Sequence, residues 1–133
     1  MVRKSDLNEH VRFLGSRGRK EVANMLARSS LFVFPSLREG MPLSILEAMS
    51  CGLPIIASRV IGLENLIVDG YNGLLVPPRD PKSLADAITL LMVDNNLRGK
   101  LAKNARDCIM RRYAYDKILP KLQQMYFEAL SLM

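Results

Sequence analysis

The chain of 133 residues has no tryptophan, two cysteines and one histidine, and aromatic residues make up 6% of it. Cys51 and Cys108 stand far apart with no C-x-x-C spacing, and His10 is the single imidazole. That excludes a disulfide framework and leaves no zinc-ligand set, so the thiols are expected as small buried apolar residues in a reducing compartment. No apolar run approaches the ~20 residues of a membrane-spanning helix. The amino terminus, MVRKSDLNEH, has no apolar core of a secretory leader. The expected location is therefore the cytoplasm, with peripheral contact at the inner face of a membrane as an open alternative. Few aromatics interleave with the basic residues and no recognition motif is present, so nucleic acid is not an expected partner.

Cationic residues are plentiful, giving a net charge of +6. They gather in the first third (Arg3, Lys4, Arg12, Arg17, Arg19, Lys20, Arg28, Arg38) and the last (Arg98, Lys100, Lys103, Arg106, Arg111, Arg112, Lys117, Lys121), around an acidic middle. Such a split suits an anionic partner, although solvated helix faces give the same pattern. The length fits one domain, residues 1–133, able to bury a core.

The pattern of apolar residues alternates strand and helix. Val11–Leu14 reads as a short strand ending at Gly15, and a helix over 19–28 carries Val22, Met25 and Leu26 at spacings of three and four. Leu31-Phe32-Val33-Phe34 is uninterruptedly apolar, as in a parallel strand covered on both faces. Pro42 suits a helix's first turn and Gly52 its end, with Leu43, Ile45, Leu46, Ala48, Met49 and Cys51 between them. Leu53–Ser58 predicts another strand, residues 63–68 a short helix, and Asp69-Gly70 and Asn72-Gly73 turns before a strand at Leu74-Leu75-Val76. The order β-α-β-α-β-α-β over residues 9–78 predicts an α/β fold with a doubly wound parallel sheet of about four strands. Residues 80–131 are expected to be helical. Asp80 caps the first helix with Pro81 at its first position, a stripe from Leu97 to Ile109 marks the second, and Pro120 is a kink candidate in the third. The stripe Leu122, Met125, Tyr126, Ala129 and Leu130 is read as core.

Two carboxylates stand out. Glu47 is the only charge in the second helix, which the sequence marks as buried, and an unpaired buried carboxylate costs several kcal/mol or takes up a proton. Glu39 lies in the loop at the carboxyl end of a strand, where open α/β sheets bind ligands. Both are expected to border one crevice. First-turn amides, from Met41, Leu43 and Ser44, lack intrahelical acceptors and favour an anion such as a phosphate. Glu47 would then reach a vicinal diol such as that of ribose, and Glu39 a group beyond the distal phosphate. The plainer alternatives are an exposed loop acid or capping group for Glu39, and a core Tyr or Arg partner for Glu47.

The residues Glu39-Gly40-Met41-Pro42, Glu47 after seven further positions, and Ala48-Met49-Ser50-Cys51-Gly52-Leu53-Pro54 resemble the signature of the family 4 retaining glycosyltransferases of the GT-B group. Val11–Gly15, Phe34-Pro35-Ser36 and Asp69–Pro77 agree with it, so the resemblance spans residues 9–130. It implies a Rossmann-like, truncated GT-B C-terminal domain that binds a nucleoside-diphosphate sugar without a metal or other cofactor. By the same resemblance Glu47 holds the ribose hydroxyls, and Glu39 is the catalytic-site carboxylate at the sugar ring. Backbone amides over Gly40, Met41, Pro42, Leu43 and Ser44, proline offering none of its own, take sugar hydroxyls and diphosphate. The implied reaction moves a hexose-like sugar to a hydroxyl acceptor of unknown identity with configuration retained.

The pattern departs from the family in two places. The acceptor domain and the first two strand-helix units of the donor domain have no counterpart, so the chain alone is expected to be inactive. An uncovered strand edge at Leu31 is expected either to take Val11–Leu14 as a neighbour or to be covered by self-association or by a partner. At Gly62-Leu63-Glu64-Asn65 the family shows a glycine pair and then a glutamate; Asn65 takes the glutamate position and Glu64 comes one residue early, turned by about 100° if helical. The alternative function is a non-catalytic interaction module that docks a membrane surface or a partner protein through its basic ends.

Overall fold

The structure is a computed structural model that describes residue 7 and residues 9–132. The basic residues Arg3 and Lys4 lie outside the described residues. Three strands, β1 (Phe32–Phe34), β2 (Ile55–Ser58) and β3 (Leu74–Val76), form a parallel sheet in the order β1-β2-β3. Phe32 pairs with Ile55, and Ile56 with Leu74. The helices are α1 (Arg19–Ala27), α2 (Leu43–Ser50), α3 (Pro81–Val93), α4 (Asn95–Arg112) and α5 (Tyr115–Ser131).

Alternation along the strands explains why they are apolar throughout. Phe32, Phe34, Ile55, Ala57 and Leu75 pack on one face with Ile45, Ala48 and Met49 of α2 and Ala105 and Ile109 of α4. Leu31, Val33, Ile56, Leu74 and Val76 pack on the other with Ala87 and Leu91 of α3 and Leu101 of α4. Successive side chains point to opposite faces, and both faces are covered, which is the α/β arrangement expected. Cys51 and Cys108 are free thiols, half-buried against the first of these clusters rather than fully enclosed.

Among the described residues the sheet has three strands, not four. Val11–Leu14 joins no ladder and Phe13 is 82% exposed. The Leu14 carbonyl accepts from Arg17 Nε at 2.9 Å instead of from a strand. Three apolar side chains in four residues declare a β-like pattern but supply no partner for the segment's own N–H and C=O groups. The β1 edge is therefore not covered by this segment. Residues 61–66 form successive turns in place of the expected helix. The reason is the buried Asn72, which accepts from Val68 N–H at 2.7 Å and donates to the Leu66 carbonyl at 3.1 Å, engaging backbone groups a helix would use.

The helix α5 differs from expectation more sharply. It runs through Pro120, but none of its residues is buried, and Leu122, Met125, Tyr126 and Leu130 are exposed rather than core. Periodicity identifies an apolar face without identifying what covers it. Met25 of α1 is likewise exposed, leaving Leu26 as the buried residue of that helix. The start of α3 is as expected: Asp80 accepts from Ser83 N–H at 3.0 Å and from Ser83 Oγ at 2.6 Å, with Pro81 next. Those bonds, the hydroxyl's first, hold the Asp80 carboxyl below its ordinary pKa of 3.8.

Candidate functional site

The loop leaving β1 climbs to α2 at the carboxyl end of the sheet. Pro42 is the N-cap of α2, not a residue of its first turn, and has no side chain to close it. Ile45 N–H bonds to the Pro42 carbonyl at 3.2 Å. The amides of Leu43 and Ser44 have no acceptor among the described residues. Two unpaired N–H groups at the positive end of a helix dipole form a place suited to an oxyanion.

Glu39 stands immediately before this terminus. It is half-buried, and its Oε1 accepts from Ser36 Oγ at 2.7 Å, which fixes the carboxylate against its own loop. It lines an open cleft of about 480 Å³ between the loops that follow β1 and β2, with Arg38, Arg59 and Glu64. Arg59 is anchored there by Asp69 and by the Leu75 carbonyl. Asp69 in turn accepts from Leu75 N–H at 2.9 Å, so the guanidinium is tied to β3.

Glu47 is exposed, which corrects the expectation of a buried carboxylate. The short apolar helix has two sides: Ile45, Ala48 and Met49 face the core, while Leu43, Glu47 and Ser50 face outward. The helix projects Glu47 toward α1, where it lines a small groove of about 120 Å³ with Arg19, Ser50 and Cys51. Glu39 and Glu47 therefore do not share one crevice. Along the chain they bracket the open start of α2, Glu39 before it and Glu47 one turn into the helix, and they line separate pockets. Neither expected alternative partner, a core Tyr or an Arg, is hydrogen-bonded to Glu47 among the described residues.

Two contributors went unassigned from sequence. Gly62, with φ of +97°, lies so close to the Glu39 and Gly40 carbonyls that a Cβ would sit 2.4 and 2.3 Å from their oxygens. It packs the loop after β2 directly onto the Glu39-Gly40 peptide, and only its glycine identity hinted at such an approach. Arg59 is the other, and its place immediately after a buried strand was the available signal. Among the described residues no group of three or more His, Cys, Asp or Glu side chains is placed to hold a metal ion. No described helix is long and apolar enough to cross a membrane.

Comparison with known proteins places this arrangement. The family model described as glycosyl transferases group 1 matches residues 1–107. The Escherichia coli UDP-Gal:alpha-D-GlcNAc-diphosphoundecaprenol alpha-1,3-galactosyltransferase is 35% identical over 124 residues, covering 93% of this chain and 32% of that protein. Sucrose-phosphate synthase from Thermosynechococcus elongatus superposes with a TM-score of 0.94 at 32% identity, over 99% of this chain and 33% of its own. HepE from Anabaena, in complex with UDP-glucose, gives 0.86 at 28% identity, over 99% and 35%. The chain spans about a third of the length of the curated relatives it matches.

Proposed function

The chain belongs to the glycosyl transferases group 1 family and has the fold of its C-terminal GT-B domain, and from that premise we propose that it is the donor-binding part of a family 4 retaining glycosyltransferase. The observation that carries this reading is the uncapped start of α2, with the free amides of Leu43 and Ser44 set between Glu39 and Glu47. A nucleoside diphosphate places its phosphates at those amides, with Gly40 and Met41 leading into them. The Glu47 carboxylate accepts hydrogen bonds from the ribose diol, and Glu39, held by Ser36, meets the transferred sugar beside the reacting carbon. The helix terminus does part of the work of a metal in balancing the diphosphate charge, so binding is metal-independent. The similarity to HepE, solved with UDP-glucose, supports a nucleotide-sugar ligand. A hexose-like sugar would pass to a hydroxyl acceptor with its configuration kept.

Calorimetric titration at low salt with UDP, GDP and ADP tests the reading. One of the three is expected to bind weakly and to lose about tenfold in affinity in Glu47→Ala. Failure of all three to bind the wild-type chain overturns it. A second reading, a module docking a membrane surface or partner through its basic ends, is favoured by α5, whose apolar face carries no buried residue. Binding to anionic vesicles that salt abolishes, without nucleotide affinity, would select it.

A further inference from the structure

The cleft that holds Glu39 has a second carboxylate, Glu64, which none of the donor-site roles above uses. The family's usual glutamate in this loop falls on Asn65, yet Glu64 and not Asn65 is among the residues lining the cleft. The turns over 61–66 account for the exchange. The Val60 carbonyl accepts from both Leu63 N–H at 3.1 Å and Glu64 N–H at 3.4 Å, and Ile67 N–H reaches the Leu63 carbonyl at 2.8 Å. This winding buries Leu63 and Leu66 and leaves Glu64 exposed on the cleft side.

Gly62 then fixes the distance between the two carboxylate loops. Its backbone lies against the Glu39 and Gly40 carbonyls with no room for a Cβ, so the Glu64 loop cannot slide along the Glu39 loop. Of the two arginines lining the cleft, Arg59 is already engaged by Asp69 and the Leu75 carbonyl, and Arg38 makes no ion pair with either carboxylate among the described residues. Glu64 makes no ion pair among the described residues. Two carboxylates facing one open volume, with neither arginine paired to them, present hydrogen-bond acceptors to whatever enters. A ring carrying several hydroxyl groups offers the matching donors.

We propose that Glu64, a carboxylate displaced by one residue from the family's position, binds hydroxyl groups of the transferred hexose opposite Glu39 and sets the preference for that sugar. This rests on the donor-site reading, since the sugar reaches the cleft only when its diphosphate lies at the start of α2. Glu64 contributes nothing to the diphosphate or ribose, so its effect is confined to the sugar.

The test is a titration of the full chain with UDP, GDP or ADP, whichever binds, and with the glucose ester of the same nucleotide, followed by saturation-transfer NMR of the sugar protons. In Glu64→Gln, nearly identical in shape and on an exposed site, affinity for the free diphosphate is expected to stay within twofold. Affinity for the glucose ester is expected to fall about fivefold to tenfold, with weaker saturation of the sugar protons. Asn65→Ala is expected to leave both within twofold. Equal losses for both ligands in Glu64→Gln, no loss for either, or a loss specific to the ester in Asn65→Ala would each overturn the proposal. A wild-type chain that binds none of these ligands overturns the donor-site reading itself and the proposal with it, and is recognised before any variant is made.

Discussion

Helices α2 and α3 both begin at a proline beyond the carboxyl end of a strand, yet their first turns are finished differently. In α3 the Asp80 carboxylate takes the Ser83 amide and hydroxyl, so the terminus is closed by the protein itself. In α2 the cap position is Pro42, no side chain reaches back, and the Leu43 and Ser44 amides stay open beside Glu39. The cap on α3 favours the folded state. The open turn of α2 forgoes that gain and leaves donors for an anion. The carboxyl end of the one sheet thus carries one terminus that serves stability and one that serves a ligand.

The largest disturbance of this difference should come from Gly62→Ala. A Cβ there overlaps the Glu39 and Gly40 carbonyls at a φ that disfavours side chains, and the expected loss is about 3 kcal/mol in denaturant unfolding. Nucleotide binding should fall with it, because the loop entering α2 must move. Next is Glu47→Ala, expected to weaken diphosphate-nucleotide binding about tenfold while leaving the melting temperature unchanged, since Glu47 is exposed and unpaired among the described residues. Asp80→Ala should do the reverse, lowering the melting temperature by a few degrees with nucleotide binding intact.

The Asp80 effect also has a defined pH dependence. Its folded-state pKa lies below 3.8 because Ser83 bonds to the ionised form, so the stabilisation is complete well above pH 3.8 and is lost as pH falls through the folded value. The stability gap between wild type and Asp80→Ala should be flat near neutrality and close in acid, as read from thermal melts at a series of pH values. The smallest effect is expected from Pro42→Ser, which gives α2 a cap like that of α3. Stability should change by less than about 1 kcal/mol, while nucleotide affinity drops a fewfold because the serine oxygen competes for the open amides.

Much of this contrast was legible from sequence because it rests on local chemistry. Asp80-Pro81 before an apolar stripe announces a capped helix, whereas for α2 the sequence announced first-turn amides without intrahelical acceptors but placed Pro42 one position too far inside, in the first turn and not at the cap. The parallel sheet followed from apolar runs too short for helices and too continuous for a half-exposed sheet. What was not legible depended on partners distant in sequence. Whether Val11–Leu14 finds a strand to pair with, or α5 a surface to cover its stripe, is not written in four or seventeen residues. Glu47 was given the right helix with the wrong environment, because an apolar composition hid the fact that an eight-residue helix still has an outer side. Gly62 and Glu64 needed the fold of the turns around Asn72 before their positions over the cleft had meaning.

The most direct measurement is a titration of the ¹⁵N-labelled chain with the nucleoside diphosphate that binds, observed amide by amide. Saturable shifts are expected at Leu43 and Ser44, with Glu47 neighbours following and the Ser83 amide of the capped α3 unmoved. Binding that shifts Ser83 or other amides while Leu43 and Ser44 stay still would contradict the assignment of the open α2 terminus as the phosphate site.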